Sequence, residues 1–185
     1  ALYWITDALV RWMAPILSFT AQEIWEAMPG ERPHQFVFAV TEADLPEANG
    51  RAQVNWQLIQ SAKESVNQAI EAARNDGLVK GSLSAEVALY ADGAVFDALT
   101  ALGDEIRFVT ITSEVDLYPL SEAPDGAVTD SVCPQLAVVV KATESEKCER
   151  CWHHRPDVGS VSAHPTLCTR CVDNVEGTGE ERTFA

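Results

Sequence analysis

Apolar positions at the start of the chain recur at helical spacing. Leu2, Ile5, Leu9, Trp12 and Met13 lie three and four apart, with Asp7 and Arg11 on the other side, which predicts an amphipathic helix over residues 2–14 facing a core. Pro15 ends or kinks it, since a proline ring has no N–H for the helix ladder. Thr20-Ala-Gln-Glu23 then reads as a capping box, opening a second helix that turns Ile24, Trp25 and Met28 inward and stops at Pro29-Gly30. Residues 31–50 read as a long connection, with Gln35–Val40 as a short extended segment. A third helix, from about Gln53 to Asn75, carries Ile59, Ala62, Val66, Ala69, Ile70 and Ala73 as one stripe, and Asn75-Asp76-Gly77 closes it. The three helices are expected to pack as an antiparallel bundle segment over residues 1–80.

Beyond Gly81 the period changes. Glu86–Tyr90 alternates as a strand, Val95, Phe96, Leu99 and Leu102 mark a short helix ended by Gly103, and Arg107–Thr112 reads as a second strand that Val115–Tyr118 extends. Ser121–Ser131, with Pro124 and Asp125-Gly126, reads as a solvent loop, and Leu136–Val140 as a buried strand. Residues 81–143 thus form a small α/β segment. Residues 144–185 form a third region, so the fold class expected is α+β: bundle segment, α/β segment and a four-cysteine ribbon.

That last region carries the strongest chemical signal. Cys148-Glu-Arg-Cys151 is followed after sixteen residues by Cys168-Thr-Arg-Cys171. Each pair can set two thiolates on one tight turn, and four soft thiolates in a tetrahedron suit one Zn²⁺ ion while leaving no open position for a catalytic water. The ion expected is structural, one per chain. Two disulfides would use the same cysteines in a secreted protein, but there is no signal peptide and Cys133 would be left over. An iron–sulfur centre ranks lower because paired turns are the commoner zinc pattern. His153, His154 and His164 lie in the intervening loop and read as ordinary loop residues beside four cysteines in register.

Composition (46% hydrophobic, 22% charged) places the 185 residues among soluble globular chains, and with free cysteines and no targeting segment it points to the cytoplasm. Charge changes the picture more. The net is −15, a balance that repels nucleic acid on average. It is uneven: residues 1–140 hold 7 basic and 20 acidic side chains, residues 141–185 hold 6 and 8. Any nucleic-acid contact is therefore expected near the cysteine ribbon or on a local basic face, not over the whole surface. Arg150, Trp152, Arg155 and Arg170 are the candidates there, on location and chemistry. Trp152 follows a cysteine in a turn, where an indole can shield the metal or offer a base a stacking surface; shielding is the first expectation, because such ribbons have little core of their own. Trp4, Trp12, Trp25 and Trp56 sit on apolar helix faces and are expected in the core. No Gly-rich phosphate loop, Gly-x-Ser-x-Gly elbow or His-Glu-x-x-His is present, so no catalytic residue is assigned.

Three stretches together resemble the C-terminal part of bacterial isoleucyl-tRNA synthetase, over the whole 185 residues. They are Ala14-Pro-Ile-Leu-Ser-Phe-Thr-Ala-Gln-Glu-Ile-Trp25; Ala72-Ala-Arg74 with Gly81-Ser-Leu-Ser-Ala-Glu-Val87 and Leu102–Val109; and Glu146–His153 with Cys168–Val172 and the ending Gly179–Ala185. The resemblance implies an anticodon-binding helical region and Cys148, Cys151, Cys168 and Cys171 as zinc ligands. It implies isoleucine tRNA and the remainder of a synthetase chain as partners. The family's His-Ile-Gly-His and Lys-Met-Ser-Lys-Ser motifs do not occur in this chain, so ATP and Mg²⁺ would be used only through an absent catalytic domain. The opening Ala1 and the closing Glu180–Ala185 read as a piece of a longer protein that keeps its natural C-terminus.

Two rivals remain at this point. Formamidopyrimidine-type DNA glycosylases end in a similar finger but begin with a catalytic Pro-Glu, whereas this chain begins Ala1-Leu2, so DNA is not expected. A zinc-stapled module that braces the synthetase without touching RNA is not excluded by any residue.

Overall fold

The computed structural model describes residues 2–31, 34–37 and 54–184, and the chain divides into two units, Ala1–Gln53 and Val54–Ala185. In the first, α1 (Leu2–Met13) packs on α2 (Ser18–Ala27). Pro15 terminates α1 as expected: the amides of Ile16 and Leu17 both turn back to the Met13 carbonyl, at 2.9 and 2.8 Å. Met28 in an extended conformation and Gly30 at φ 98° then end α2.

The inward face of this unit differs from the one expected. Its core is Val10, Ala14, Ala21, Trp25, Met28 and Val37, together with a buried ion pair in which Arg11 Nε donates to Asp7 Oδ2 at 2.9 Å. Arg11 also lies 4.8 Å over the Trp25 ring, whose Nε1 donates to the His34 carbonyl at 3.1 Å. Leu2, Ile5, Leu9 and Trp12 are exposed instead. Two stripes compete on α1, one of large apolar residues and one of small residues flanking a charge pair that neutralises itself, and the second faces α2. The capping box is also absent: α2 starts at Ser18 behind Leu17, so Thr20 is already inside the helix. Of the expected extended segment 35–40, residues 38–40 lie outside the described residues, as does most of the 31–50 connection.

The second unit opens with α3 (Trp56–Asn75). Asn55 caps it, its Oδ1 accepting from the Leu58 amide at 3.3 Å, and Gly77 at φ 76° closes it while the Leu78 amide returns to the Ala73 carbonyl. The predicted stripe is buried, and it shares its core with the strands: Ile59, Ala62, Val66, Ala69, Ile70 and Ala73 pack with Val87, Leu89, Leu136 and Val138. α3 thus lies on the sheet, where a shallow stripe built on alanines fits a flat face.

The sheet has the order β2-β1-β4-β3, formed by β1 (Ala85–Ala91), β2 (Glu114–Pro119), β3 (Val128–Thr129) and β4 (Leu136–Ala142). β1 runs parallel to β2, with Leu89 opposite Leu117, and antiparallel to β4, with Leu89 opposite Val138. β1 alternates as read, burying Ala85, Val87, Leu89 and Ala91. The crossover from β1 to β2 carries α4 (Gly93–Thr100) and α5 (Ile106–Thr110).

α5 corrects the strand expected at residues 107–112. The buried residues Ile106 and Thr110 are four apart, Thr110 Oγ1 donates back to the Ile106 carbonyl at 3.0 Å, and Ile111 in a left-handed conformation (φ 58°, ψ 49°) stops the turn. The apolar run was short enough to fit either period, and the tight turn at Gly103–Glu105 feeds a helix. The expected loop 121–131 also contains β3, a two-residue edge strand. Among the described residues no helix is long and apolar enough to cross a membrane. Of the tryptophans expected inside, only Trp25 is buried; Trp4, Trp12 and Trp56 are exposed.

Candidate metal centre and nucleic-acid interface

Strand β4 leads into the cysteine region, where backbone turns do the positioning. The Trp152 amide donates to the Cys148 carbonyl at 2.9 Å and the Cys148 amide to the His153 carbonyl at 2.9 Å, which folds Cys148–Cys151 into one tight knuckle. Cys168 caps α6 (Thr169–Glu176), and Cys171 sits in the first turn of that helix. Asp157 joins the knuckles, accepting at Oδ2 from the Thr169 amide at 2.9 Å and from the Thr169 hydroxyl. Gly159 at φ 77° lets the loop pass close to Pro165.

These turns bring all four sulfurs within 4.8 Å of one another. A tetrahedron of Zn–S bonds of about 2.3 Å has edges of about 3.8 Å, and Cys151 Sγ lies 3.8 Å from Cys168 Sγ. Cys148, Cys168 and Cys171 are buried, and the partly buried hydrophobic residues Cys151, Val158 and Leu167 pack against them. The donor set, spacing and burial fit one zinc ion with no open position. The fifth cysteine, Cys133, is buried in the sheet core, away from the four.

Both inter-cysteine arginines serve the sulfurs. Arg150 Nη1 lies 3.7 Å from Cys171 Sγ. Burial lowers the Arg170 pKa, but hydrogen bonding to Cys151 and the charges of Glu180, Cys151 and Cys171 more than offset it and hold the guanidinium firmly protonated. Arg170 Nη1 also donates to Glu180 Oε1 at 2.8 Å.

The four candidates for RNA contact separate into two kinds. Arg155 and Arg170 are turned into the protein: Arg155 pairs with Glu114 on β2 and donates to the Ser113 carbonyl at 3.3 Å, and Arg170 lies 5.0 Å over the Phe108 ring. Arg150 and Trp152 are exposed. Trp152 is 60% exposed, at φ 67°, a left-handed backbone that bulky residues rarely adopt. At that exposure its indole faces solvent more than the metal, and the hydrophobic side chains packed on the buried cysteines are Val158 and Leu167. The indole, with Lys147 Nζ 4.9 Å from its ring, instead borders a cleft of about 240 Å³ lined by Lys80, Gly81, Leu83, Ser84, Lys147 and His154. Lys80 and Lys147 were not singled out from sequence. They stand 67 positions apart in sequence, and only the fold places both on one cleft.

The comparisons agree with this geometry. Residues 1–89 match the family model described as "Anticodon-binding domain of tRNA ligase", and residues 145–174 match "Zinc finger found in FPG and IleRS". The whole chain is 50% identical over 194 residues to the isoleucine–tRNA ligase of Shewanella baltica (strain OS195). It is 49% and 50% identical over 195 residues to those of Shewanella piezotolerans and Shewanella sediminis. The chain matches the C-terminal part of the isoleucine–tRNA ligases along its full length. It covers 20% of the length of each of these relatives. The finger model alone spans both rival families; the anticodon-binding match and the isoleucine–tRNA ligase identity over the whole chain decide between them. The zinc finger family and the four clustered cysteines together support a structural zinc.

Proposed function

We propose that this chain is the tRNA-binding C-terminal region of an isoleucine–tRNA ligase, holding the anticodon end of isoleucine tRNA while other parts of the ligase carry out ATP- and Mg²⁺-dependent aminoacylation in the cytoplasm. Cys148, Cys151, Cys168 and Cys171 ligate one zinc ion, whose work is to fix the two knuckles. The observation that carries the reading is Trp152: an exposed indole on a strained backbone, next to a cationic cleft, is what stacking of an unpaired base requires. Arg150, exposed beside it, supplies a charged contact. Lys80 and Lys147 give local positive charge in a chain of net −15, so most long-range attraction for tRNA comes from the rest of the ligase.

A bracing role accompanies this one, favoured by Arg155 and Arg170, whose contacts run to Glu114, Phe108 and Glu180. The exposed apolar residues of α1, α2 and the turn between them, with Ile16 at 84% and Phe19 at 87% exposure, fit burial against the remainder of the ligase. Trp152→Ala and Arg150→Ala in the full-length ligase separate the roles. Zinc content should stay at one per chain while the KM for isoleucine tRNA rises about tenfold or more, the scale of one lost base stack. Unchanged tRNA kinetics in both variants would leave bracing as the region's whole role.

A further inference from the structure

One side chain beside the zinc module gathers more positive charge than bracing needs. Phe108, on α5, is surrounded by three guanidinium groups: Arg182 at 3.8 Å, Arg107 at 4.5 Å and Arg170 at 5.0 Å from its ring centroid. Arg155, from the loop after the first cysteine knuckle, adds a fourth positive charge close enough to act on Arg107, and His153 meets the same ring edge-on at 5.8 Å. Three of the four arginines have carboxylates. Arg155 pairs with Glu114 and with Asp157 Oδ1 at 3.7 Å, and Arg170 and Arg182 share Glu180 Oε1 at 2.8 Å each. Arg107 has none within 4.0 Å among the described residues.

In a chain with more than twice as many acids as bases, Arg107 and Arg150 are the arginines among the described residues without a carboxylate partner, and Arg150 faces a cysteine sulfur instead. Burial, then Arg155 and Arg170, lower the Arg107 pKa, and the charges of Glu114 and Asp104 do not make up the difference. Contact with a ring face orients a guanidinium without consuming its N–H donors, which form a fork matched to a phosphate. The side chain is half-buried, so an edge of it meets solvent.

We propose that Arg107 binds a backbone phosphate of the bound RNA, at a position formed by α5 and the zinc module together and separate from the Trp152 cleft. This rests on the tRNA-binding reading above. The site does not read sequence; it fixes the module on the RNA backbone.

The test is tRNA affinity of the full-length ligase as a function of salt, for wild type, Arg107→Gln, Arg107→Lys and Trp152→Ala, each with zinc content measured. Arg107→Gln should weaken binding about fivefold at low salt and make the slope of log K against log salt shallower by roughly 0.7–0.9, the loss of one phosphate contact. Arg107→Lys should keep the slope. An unchanged slope and affinity in Arg107→Gln, with Trp152→Ala still weakened, would overturn the phosphate site and leave the tRNA reading standing. If neither variant changed binding, the tRNA reading itself would fall. Should Arg107→Gln lose its zinc, wild-type ligase answers the same question: bound tRNA should slow phenylglyoxal modification of Arg107, and equal modification with and without tRNA would overturn the proposal.

Discussion

Arg155, in the loop after the first cysteine knuckle, pairs with Glu114 at the start of β2 and donates to the Ser113 carbonyl at 3.3 Å. Next to it the His154 amide donates to Ser113 Oγ at 2.7 Å, and at the other end of the module the amides of Thr183 and Phe184 both reach the Glu105 carboxylate at 2.7 Å. The zinc module is thereby fastened to the sheet segment at both ends of its sequence.

Charge reversal at Arg155 therefore acts first on stability. Arg155→Glu sets a second carboxylate beside Glu114 and should cost about 1–2 kcal/mol, the scale of a partly exposed charged hydrogen bond. Urea denaturation checks this. A loss of charging in that variant would not count as evidence for RNA contact unless stability were unchanged.

Removing the metal should separate the two parts of the second unit. The module's interior is little more than the four cysteines with Val158 and Leu167, too few apolar residues to fold without the ion, whereas α3 and the sheet keep their own core. Chelator under mildly denaturing conditions should release four thiols, leave Cys133 unreactive, and abolish the amide dispersion of residues 144–184 while that of residues 56–142 persists.

Gly159 tests the loop between the knuckles. A Cβ built there would lie 2.8 Å from the Pro165 carbonyl oxygen, on a backbone at φ 77°. Gly159→Ala should destabilise the module by about 2 kcal/mol or more, since strain and clash add, and a chelator competition assay should find weaker zinc retention.

Asp130 makes a prediction away from the metal. Its Oδ1 accepts from Ser65 Oγ on α3 and from the amides of Val132 and Cys133, at 3.0, 2.8 and 2.9 Å. Burial raises its pKa, but these three bonds outweigh it and hold the carboxyl below its ordinary 3.8. A depressed folded pKa stabilises above the unfolded value and is lost as pH falls through the folded one. Asp130→Ala should cost about 1–3 kcal/mol at pH 7, and the gap to wild type, by denaturant melts, should narrow as pH falls below 3.8.

Sequence made the site's chemistry legible and left its surroundings hidden. Two Cys-x-x-Cys pairs determine their own geometry locally, so Cys148, Cys151, Cys168 and Cys171 could be grouped without a fold. The α3 stripe and β1 were likewise readable from period, and β4 from its unbroken apolar run. The α3 partner was not: a helix pattern says which face is buried and not what covers it. On α1 the large apolar residues outnumber the ones that are buried, and only tertiary packing selected Ala8 and Val10 over Leu9 and Trp12. Arg155 and Arg170 looked like free cations because Glu114 and Glu180, their partners, are remote or unremarkable in sequence.

The most direct test of the account is ultraviolet crosslinking of full-length ligase to isoleucine tRNA, with the crosslinked peptide mapped by mass spectrometry. The expected product joins an anticodon-loop nucleotide to the peptide containing Trp152, and Trp152→Ala abolishes it with zinc retained. Crosslinks confined to other regions of the ligase, with the Cys148–Arg155 peptide untouched, would contradict the claim that this module meets the RNA.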